Sequence, residues 1–191
     1  ALSVNSGKAE AVRRGMLHAL AGGAHVVGYT DADASTPARE LLRLLDALFA
    51  READVVMGAR VQLLGSAVRR RRSRHYLGRI FATAASVLLD LPVYDTQCGA
   101  KFFRDSPALR QALVAPFASR WAFDVELLGR LLTGSEGVAP VAREKFLEVP
   151  LSEWSDVAGS KLDASAMLKS GLELAAIGRE LRRKRQRLGR G

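Results

Sequence analysis

The chain has 191 residues, 48% of them hydrophobic and 26% charged, which suits a single α/β domain with a full core. Its one cysteine, Cys98, excludes an intrachain disulfide, and no stretch reaches the roughly 18 uncharged apolar residues of a membrane span. The net charge of +9 arises from two basic runs, residues 69–79 and 179–191, which leave the remainder slightly acidic. Such runs attract polyanions, including anionic lipid surfaces and phosphorylated ligands.

Hydrophobic periodicity predicts helices and strands in alternation. In chain order, we predict a helix over 8–20, a strand over 25–30, a helix over 37–51, a strand over 53–58, a helix ending at Leu89, a strand near 101–104, a helix from Pro107, a helix over 121–132, a strand over 146–151 and a helix from about Asp163. This alternation predicts an α/β sheet. Helical spacing places Trp121, Phe123, Leu127 and Leu131 in the core.

Two aspartates, Asp31 and Asp33, directly follow the strand predicted at 25–30, whose apolar character predicts that it is buried. In an extended backbone, residues two apart point to the same side, so both carboxylates would leave the strand together. Acidic groups at the carboxyl edge of an α/β sheet lie where such folds bind ligands, and two hard oxygen ligands suit Mg²⁺ or Mn²⁺ with a diphosphate. The alternative is a solvated turn that caps the helix starting near Pro37.

Gly7 and Lys8 stand at the start of the first predicted helix. A helix N-terminus and a lysine both favour anions. The phosphate-loop pattern G-x-x-x-x-G-K-[ST] is absent, so this is a weak phosphate signal, and an ordinary capped helix is the alternative.

Four further stretches narrow the chemistry: residues 58–60 (GAR), 95–101 (DTQCGAK), 120–127 (RWAFDVEL) and 149–162, the last running from Val149-Pro150 through Trp154 to Lys161. In this order, behind Gly7-Lys8 and Asp31-Ala32-Asp33, they resemble the family-2 glycosyltransferases that load sugars onto polyprenyl phosphates. The dolichyl-phosphate glucosyltransferase branch is the most similar, and the resemblance covers residues 5 to about 165.

The resemblance implies a GT-A fold over residues 1–165, with a Rossmann-like mixed sheet flanked by helices, followed by an amphipathic helix and basic tail over 166–191. It implies an inverting, metal-dependent transfer of a hexose, glucose before mannose, from a nucleotide sugar to a polyprenyl or dolichyl phosphate. The metal would be Mg²⁺ or Mn²⁺. We expect a peripheral enzyme on the cytoplasmic face of an anionic membrane surface, and no nucleic-acid partner.

Individual residues carry this resemblance on the donor side. Asp31 and Asp33 would hold the divalent metal and the donor diphosphate, with Asp33 the more direct ligand, and Lys8 would lie near the nucleotide. Four motif residues, of uncertain role, are Asp95, Gln97, Arg120 and Glu126. For Glu126 the alternative is a simple pair with an arginine, and for Cys98 we expect a packed residue rather than a nucleophile.

On the acceptor side, Arg60, Arg74 and Lys161 match positions that bind the acceptor phosphate or lie near it in the related mannose synthases, and Asp124 matches the acidic base. A phosphate monoester is already anionic at neutral pH, because its second pKa lies near 6. It needs little help from a general base, so Asp124 need not be a strong one.

The sequence departs from the family pattern at its start. The usual Gly-Lys-Gly is Gly7-Lys8-Ala9 here, and the opening strand and the Asp-Asp-Gly-Ser-like stretch that hold the nucleoside are absent. We therefore expect a fragment without the first β-α-β unit of the fold. Two alternatives remain: a polyanion-binding module, which the low aromatic content of 6% disfavours for nucleic acid, and a non-catalytic remnant of a glycosyltransferase.

From this departure we predict that the chain by itself binds nucleotide sugar weakly or not at all and is inactive, because the segments that hold the nucleoside are missing. Isothermal titration of the chain with UDP-glucose and Mn²⁺ measures this directly. Micromolar binding would contradict the prediction.

Overall fold

The computed structural model describes residues 5–65, 67–69, 72–155 and 164–188. Its helices are α1 (Lys8–Ala21), α2 (Ala38–Ala50), α3 (Arg72–Leu89), α4 (Pro107–Val114), α5 (Phe123–Thr133) and α6 (Ala164–Leu188), with a 3-10 turn at Arg143–Lys145. Its strands are β1 (Val26–Thr30), β2 (Val55–Ala59), β3 (Ala67–Arg69), β4 (Ala100–Arg104), β5 (Phe146–Pro150) and β6 (Glu153–Ser155). The longer elements match the predicted ones within a few residues, whereas β3 and β6 are too short for periodicity to reveal.

Four strands form a mixed sheet in the order β1-β4-β2-β5. Strand β4 is antiparallel to both β1 and β2, and β2 is parallel to β5. The ends of β1, β2 and β5 therefore share one edge with the start of β4, as the pairing of Thr30 with Ala100 and of Ala59 with Pro150 shows. A second, smaller sheet pairs β3 with β6 in parallel. The mixed α/β sheet confirms the predicted fold class.

Strand β1 is less buried than its composition predicts. Among the described strands it pairs only with β4, at the edge of the sheet, and only Val27 of its five residues is fully buried. The prediction of a buried strand is therefore wrong for this chain. An apolar run indicates which residues favour burial, but it does not show whether another element packs against them.

The hydrophobic core lies on both faces of the sheet, since alternate residues of a strand point to opposite faces. Val55 and Met57 of β2 belong to the larger cluster, which contains side chains from α1, α3, α4, α5 and α6. Val56 belongs to the smaller cluster, beneath α2 and β6. Strand β4 divides in the same way, with Phe103 in the larger cluster and Ala100 in the smaller one.

Helix α6 packs into the larger cluster through Leu174, Ile177 and Leu181. A Cβ added to Gly129 of α5 would lie 2.3 Å from a methyl carbon of Leu181, so the two helices approach closely at that glycine. The Glu173 carboxylate of α6 also accepts hydrogen bonds from the hydroxyl of Ser119 and the N–H of Ala122, just before α5. The outer face of α6 carries exposed arginines at 179, 182, 183, 185 and 187.

Trp121 departs from the predicted core. Phe123, Leu127 and Leu131 are buried as predicted, but Trp121 lies two residues before α5 and is 41% exposed. Its ring meets the edge of Phe81 at a centroid distance of 5.1 Å. The helical spacing that predicted its burial does not hold outside the helix. No helix among the described residues is both long and apolar enough to cross a bilayer.

We predict that Gly129→Ala lowers the free energy of unfolding by about 1–3 kcal/mol, because the new methyl group overlaps Leu181 in a packed core. Urea denaturation measures the change. Gly171→Ala in α6 is the matched control, since nothing lies within 4 Å of its added Cβ. The control should stabilise the chain by about 0.5–1 kcal/mol through helix propensity. Equal effects at the two glycines would contradict the close packing of α5 and α6.

Candidate active site

Polar residues lie at the edge of the four-stranded sheet where β1, β2 and β5 end and β4 begins. Asp31 follows β1, Arg60 follows β2, and the loop of residues 95–99 leads into β4. The starts of α1 and α5 reach the same place, because Lys8 contacts Asp31 and Asp124 contacts Tyr29 of β1. Ligands of open α/β sheets bind beyond the carboxyl ends of the parallel strands, so this edge is the candidate site.

The predicted donor residues Lys8 and Asp31 form an ion pair here. The Nζ atom of Lys8 lies 2.5 Å from Oδ1 of Asp31. The other oxygen of Asp31 lies against Gly99, where an added Cβ would stand 1.9 Å from it, so only glycine leaves room for the carboxylate. The ammonium of Lys8 also lies 5.7 Å from the ring centroid of Phe123 and 6.0 Å from that of Tyr29.

Asp33 lies in a turn beyond the strand. Strand β1 ends at Thr30 and Ala34 has a left-handed φ of 56°, so the period-two argument that aligned the two carboxylates does not apply. Oδ1 of Asp33 accepts the N–H of Ser35 at 3.0 Å. The alternative of a capping turn is also wrong in detail, because the N-cap of α2 is Pro37 and receives no side-chain cap.

The carboxylates of Asp31 and Asp33 are the type of donor that a divalent ion arriving with its ligand would require. Mg²⁺ characteristically takes one or two carboxylates and completes its shell with water and substrate phosphates. In the part of the chain that the structure describes, no group of three or more His, Cys, Asp or Glu side chains could hold a metal ion. Asp31 and Asp33 offer the hard oxygen donors that such a shared site needs, rather than a cage built from protein alone.

Arg60 and Asp95 form a bidentate salt bridge. Its Nε donates to Oδ2 at 2.7 Å and its Nη2 to Oδ1 at 2.8 Å, while its guanidinium lies 5.3 Å from the ring centroid of Trp154. Burial lowers the pKa of Arg60, but the charge and hydrogen bonds of Asp95 outweigh this and leave that pKa above its usual value. Arg60 is therefore a fixed cation, and the described hydrogen bonds of its guanidinium to the Asp95 side chain use Nε and Nη2.

Sequence reasoning missed Glu148 of β5, which holds the loop that carries Asp95. Its carboxylate accepts the N–H groups of Tyr94 and Asp95, each at 2.7 Å. Burial raises the pKa of Glu148, and these two backbone donors partly oppose that rise. The sequence signal for a buried carboxylate here was a single glutamate within the otherwise apolar residues 146–151.

Asp124, the predicted base, stands in the first turn of α5 and is only 4% exposed. Its Oδ1 accepts a hydrogen bond from the Tyr29 hydroxyl and lies 2.5 Å from Nζ of Lys101. Burial and then the charge of Asp124 raise the pKa of Tyr29 well above its usual value, so the phenol remains a donor. Sequence reasoning missed both partners; a lysine inside the apolar strand β4 was a signal for a buried ion pair.

The remaining predicted residues are spread around this edge. Arg120 is exposed, with its guanidinium beside Gly7 at the start of α1. Glu126 is buried and pairs with Arg130 at 2.6 Å, but its carboxylate also accepts the N–H groups of Ala118 and Ser119, so it is not the simple arginine pair of the alternative interpretation. The backbone N–H of Gln97 donates to Asp95. Of the other predicted acceptor residues, Arg74 has its backbone in the first turn of α3 and its side chain outside the described part, and Lys161 lies outside the described residues.

Comparison with known proteins agrees with this architecture. Residues 1–110, more than half of the chain and including both Asp31 and Gly99, match the family model for Glycosyl transferase family 2. The chain belongs to this family of sugar-transferring domains.

Curated relatives of this chain have names that specify the sugar and the acceptor. A dolichyl-phosphate beta-glucosyltransferase of Trichomonas vaginalis is 31% identical over 178 residues, which cover 91% of this chain and 49% of that protein. Proteins of the same name from Dictyostelium discoideum and Drosophila melanogaster are 32% and 31% identical, over 85% and 83% of this chain and 47% and 46% of their own lengths. The chain thus spans about half the length of the curated relatives it matches.

Cys98 is fully buried, as predicted for a packed residue, and burial raises the pKa of its thiol to about 11. Since the thiolate is the reactive form, we predict that the native chain at pH 8 resists alkylation by iodoacetamide. The same chain in urea should react at the rate of a free thiol. Stoichiometric labelling of the native chain at that rate would contradict the burial of Cys98.

Proposed function

We propose that the protein containing this chain transfers glucose, with inversion, from a nucleotide-diphosphate sugar to a polyprenyl phosphate such as dolichyl phosphate. The observation that carries the proposal is the ion pair of Lys8 and Asp31 against Gly99, at the carboxyl edge of the sheet of a family-2 domain. The names of the relatives supply the sugar and the acceptor class. Mannose is the second candidate sugar.

On the donor side, Lys8, Asp31 and Asp33 would bind the diphosphate. Asp31 and Asp33 would hold Mg²⁺ or Mn²⁺, which when bound would neutralise the charge that develops on the departing diphosphate. Lys8 contributes a mobile cation, since its side chain is about half exposed and can turn from Asp31 towards a phosphate oxygen. Gly99 keeps the Asp31 carboxylate close to the backbone of the loop before β4.

On the acceptor side, a phosphate oxygen would attack C1 of the sugar while the bond from C1 to the nucleotide diphosphate breaks. The attacking phosphate monoester is already ionised, so no proton has to be removed at that atom. This is consistent with an Asp124 that is buried and paired with Lys101. Arg60 would bind the acceptor phosphate through Nη1, together with Arg74 and Lys161.

We further propose peripheral contact with an anionic membrane on its cytoplasmic face, where a lipid phosphate would be reached. Helix α3 exposes Ile80 and Val87, 66% and 77% accessible and seven residues apart, so they lie on one face of that helix. Helix α6 exposes Leu172 in its first half and a row of arginines towards its end. Apolar side chains combined with basic ones favour the interface of anionic lipids.

We predict that Asp33→Asn lowers kcat for glucose transfer to dolichyl phosphate by about 100-fold or more, because metal stabilisation of the leaving group contributes several kcal/mol. The assay uses protein expressed from the complete reading frame that contains this chain, with the acceptor in anionic vesicles. Asp46→Asn is the matched control, an exposed aspartate on α2 that should leave kcat unchanged.

Two results would separate the parts of this proposal. Unchanged turnover in Asp33→Asn refutes the metal-binding role of that carboxylate. Transfer from a mannose donor at a higher kcat/KM than from a glucose donor refutes the sugar assignment while leaving the reaction class intact.

A further inference from the structure

Lys101 is the most unusual buried group in the described part of the chain. It is 0% exposed at the second position of β4, whereas lysine is almost never fully buried unless it is paired. Removing two opposite charges from water costs several kcal/mol for each ion, and an apolar pair of similar volume is often at least as stable. The stability of the fold alone therefore does not explain a lysine at this position.

The contacts of Lys101 join three separate segments. Its Nζ lies 2.5 Å from Oδ1 of Asp124 at the start of α5, and it donates to the carbonyl oxygen of Cys98 in the loop before β4. It also lies 5.4 Å from the ring centroid of Tyr29, its cross-strand partner on β1. One ammonium therefore ties a helix, a loop and a neighbouring strand together.

Each of these segments carries a group of the candidate site. The Cys98 carbonyl is followed directly by Gly99, against which the Asp31 carboxylate lies. Tyr29 precedes Asp31 by two residues, and its hydroxyl donates a hydrogen bond to Asp124. A shift of the Lys101 ammonium would therefore move Asp124 and the support of Asp31 at the same time.

We propose that Lys101 is a positioning residue for sugar transfer, whose buried charge fixes Asp124 and the Cys98–Gly99 backbone and thereby sets the place of the Asp31 carboxylate. This inference rests on the proposed function. Lys101 lies beneath the edge and does not touch the substrates; it acts through the groups it holds. An uncharged side chain would leave Asp124 buried with Tyr29 as its remaining side-chain partner among the described residues, and the loop would lose its bond to the ammonium.

The test compares Lys101→Met and Lys101→Gln with the parent protein, expressed from the complete reading frame. Both variants remove the charge, and glutamine keeps an N–H donor, so it remains informative if the methionine variant does not fold. We expect kcat to fall by about 10- to 100-fold in the folded variants, because displacements near 1 Å cost about that much, while KM for the acceptor changes little. Lys145→Met is the matched control, since Lys145 also bonds a carbonyl oxygen, that of Glu52, but at an exposed site away from this edge.

A double-mutant cycle with Asp124→Asn separates positioning from simple stability. If Lys101 acts through Asp124, the two substitutions act as a unit, and the double variant should be no slower than the slower single variant. Losses that multiply overturn the proposal, as does an unchanged kcat in a folded Lys101 variant whose thermal midpoint has fallen. Absence of transfer by the parent protein overturns the proposed function and this inference with it; normal transfer by the parent and by both Lys101 variants overturns this inference alone.

Discussion

The antiparallel position of β4 between β1 and β2 is the constraint on which the rest of the site depends. Because β4 runs against both neighbours, the loop that precedes it meets the carboxyl ends of both. That single reversal places Gly99 beside Asp31 and Asp95 beside Arg60. A wholly parallel arrangement would carry the loop of residues 95–99 to the opposite end of the sheet, and neither contact would form.

Three ion pairs lie at or below this edge, and they differ in how exposed they are to a ligand. Lys8 and Asp31 are partly exposed, so a phosphate can compete for the lysine. Arg60 is oriented by Asp95, whose hydrogen bonds keep the guanidinium charged and in place. The buried pair below them involves groups that a ligand does not reach. The site thus combines an adaptable cation with a fixed one, as the proposed transfer between two anionic substrates would require.

Periodicity predicted the α/β class and the main elements, while the family resemblance assigned Lys8 and Asp31 to one donor site without predicting their ion pair. The sequence predicted that β1 ends at Thr30 but not the turn that places Asp33, because that turn depends on a left-handed residue, Ala34, that no composition rule marks. Nor could it predict that Asp95 binds Arg60 across 35 positions of the chain, since such pairs arise only once the strands are adjacent.

Helix α6 has one face towards solvent and another in contact with the turn that precedes α5. Its arginines point outward, while Glu173 on the same helix accepts hydrogen bonds from the turn that starts α5. Its close packing at Gly129 leaves the helix little freedom to roll or slide. A lipid surface that engaged those arginines would therefore set the tilt of α5 and its first turn as one rigid unit. The distance between the bilayer plane and the sheet edge would then be fixed by helix geometry instead of by a flexible tether.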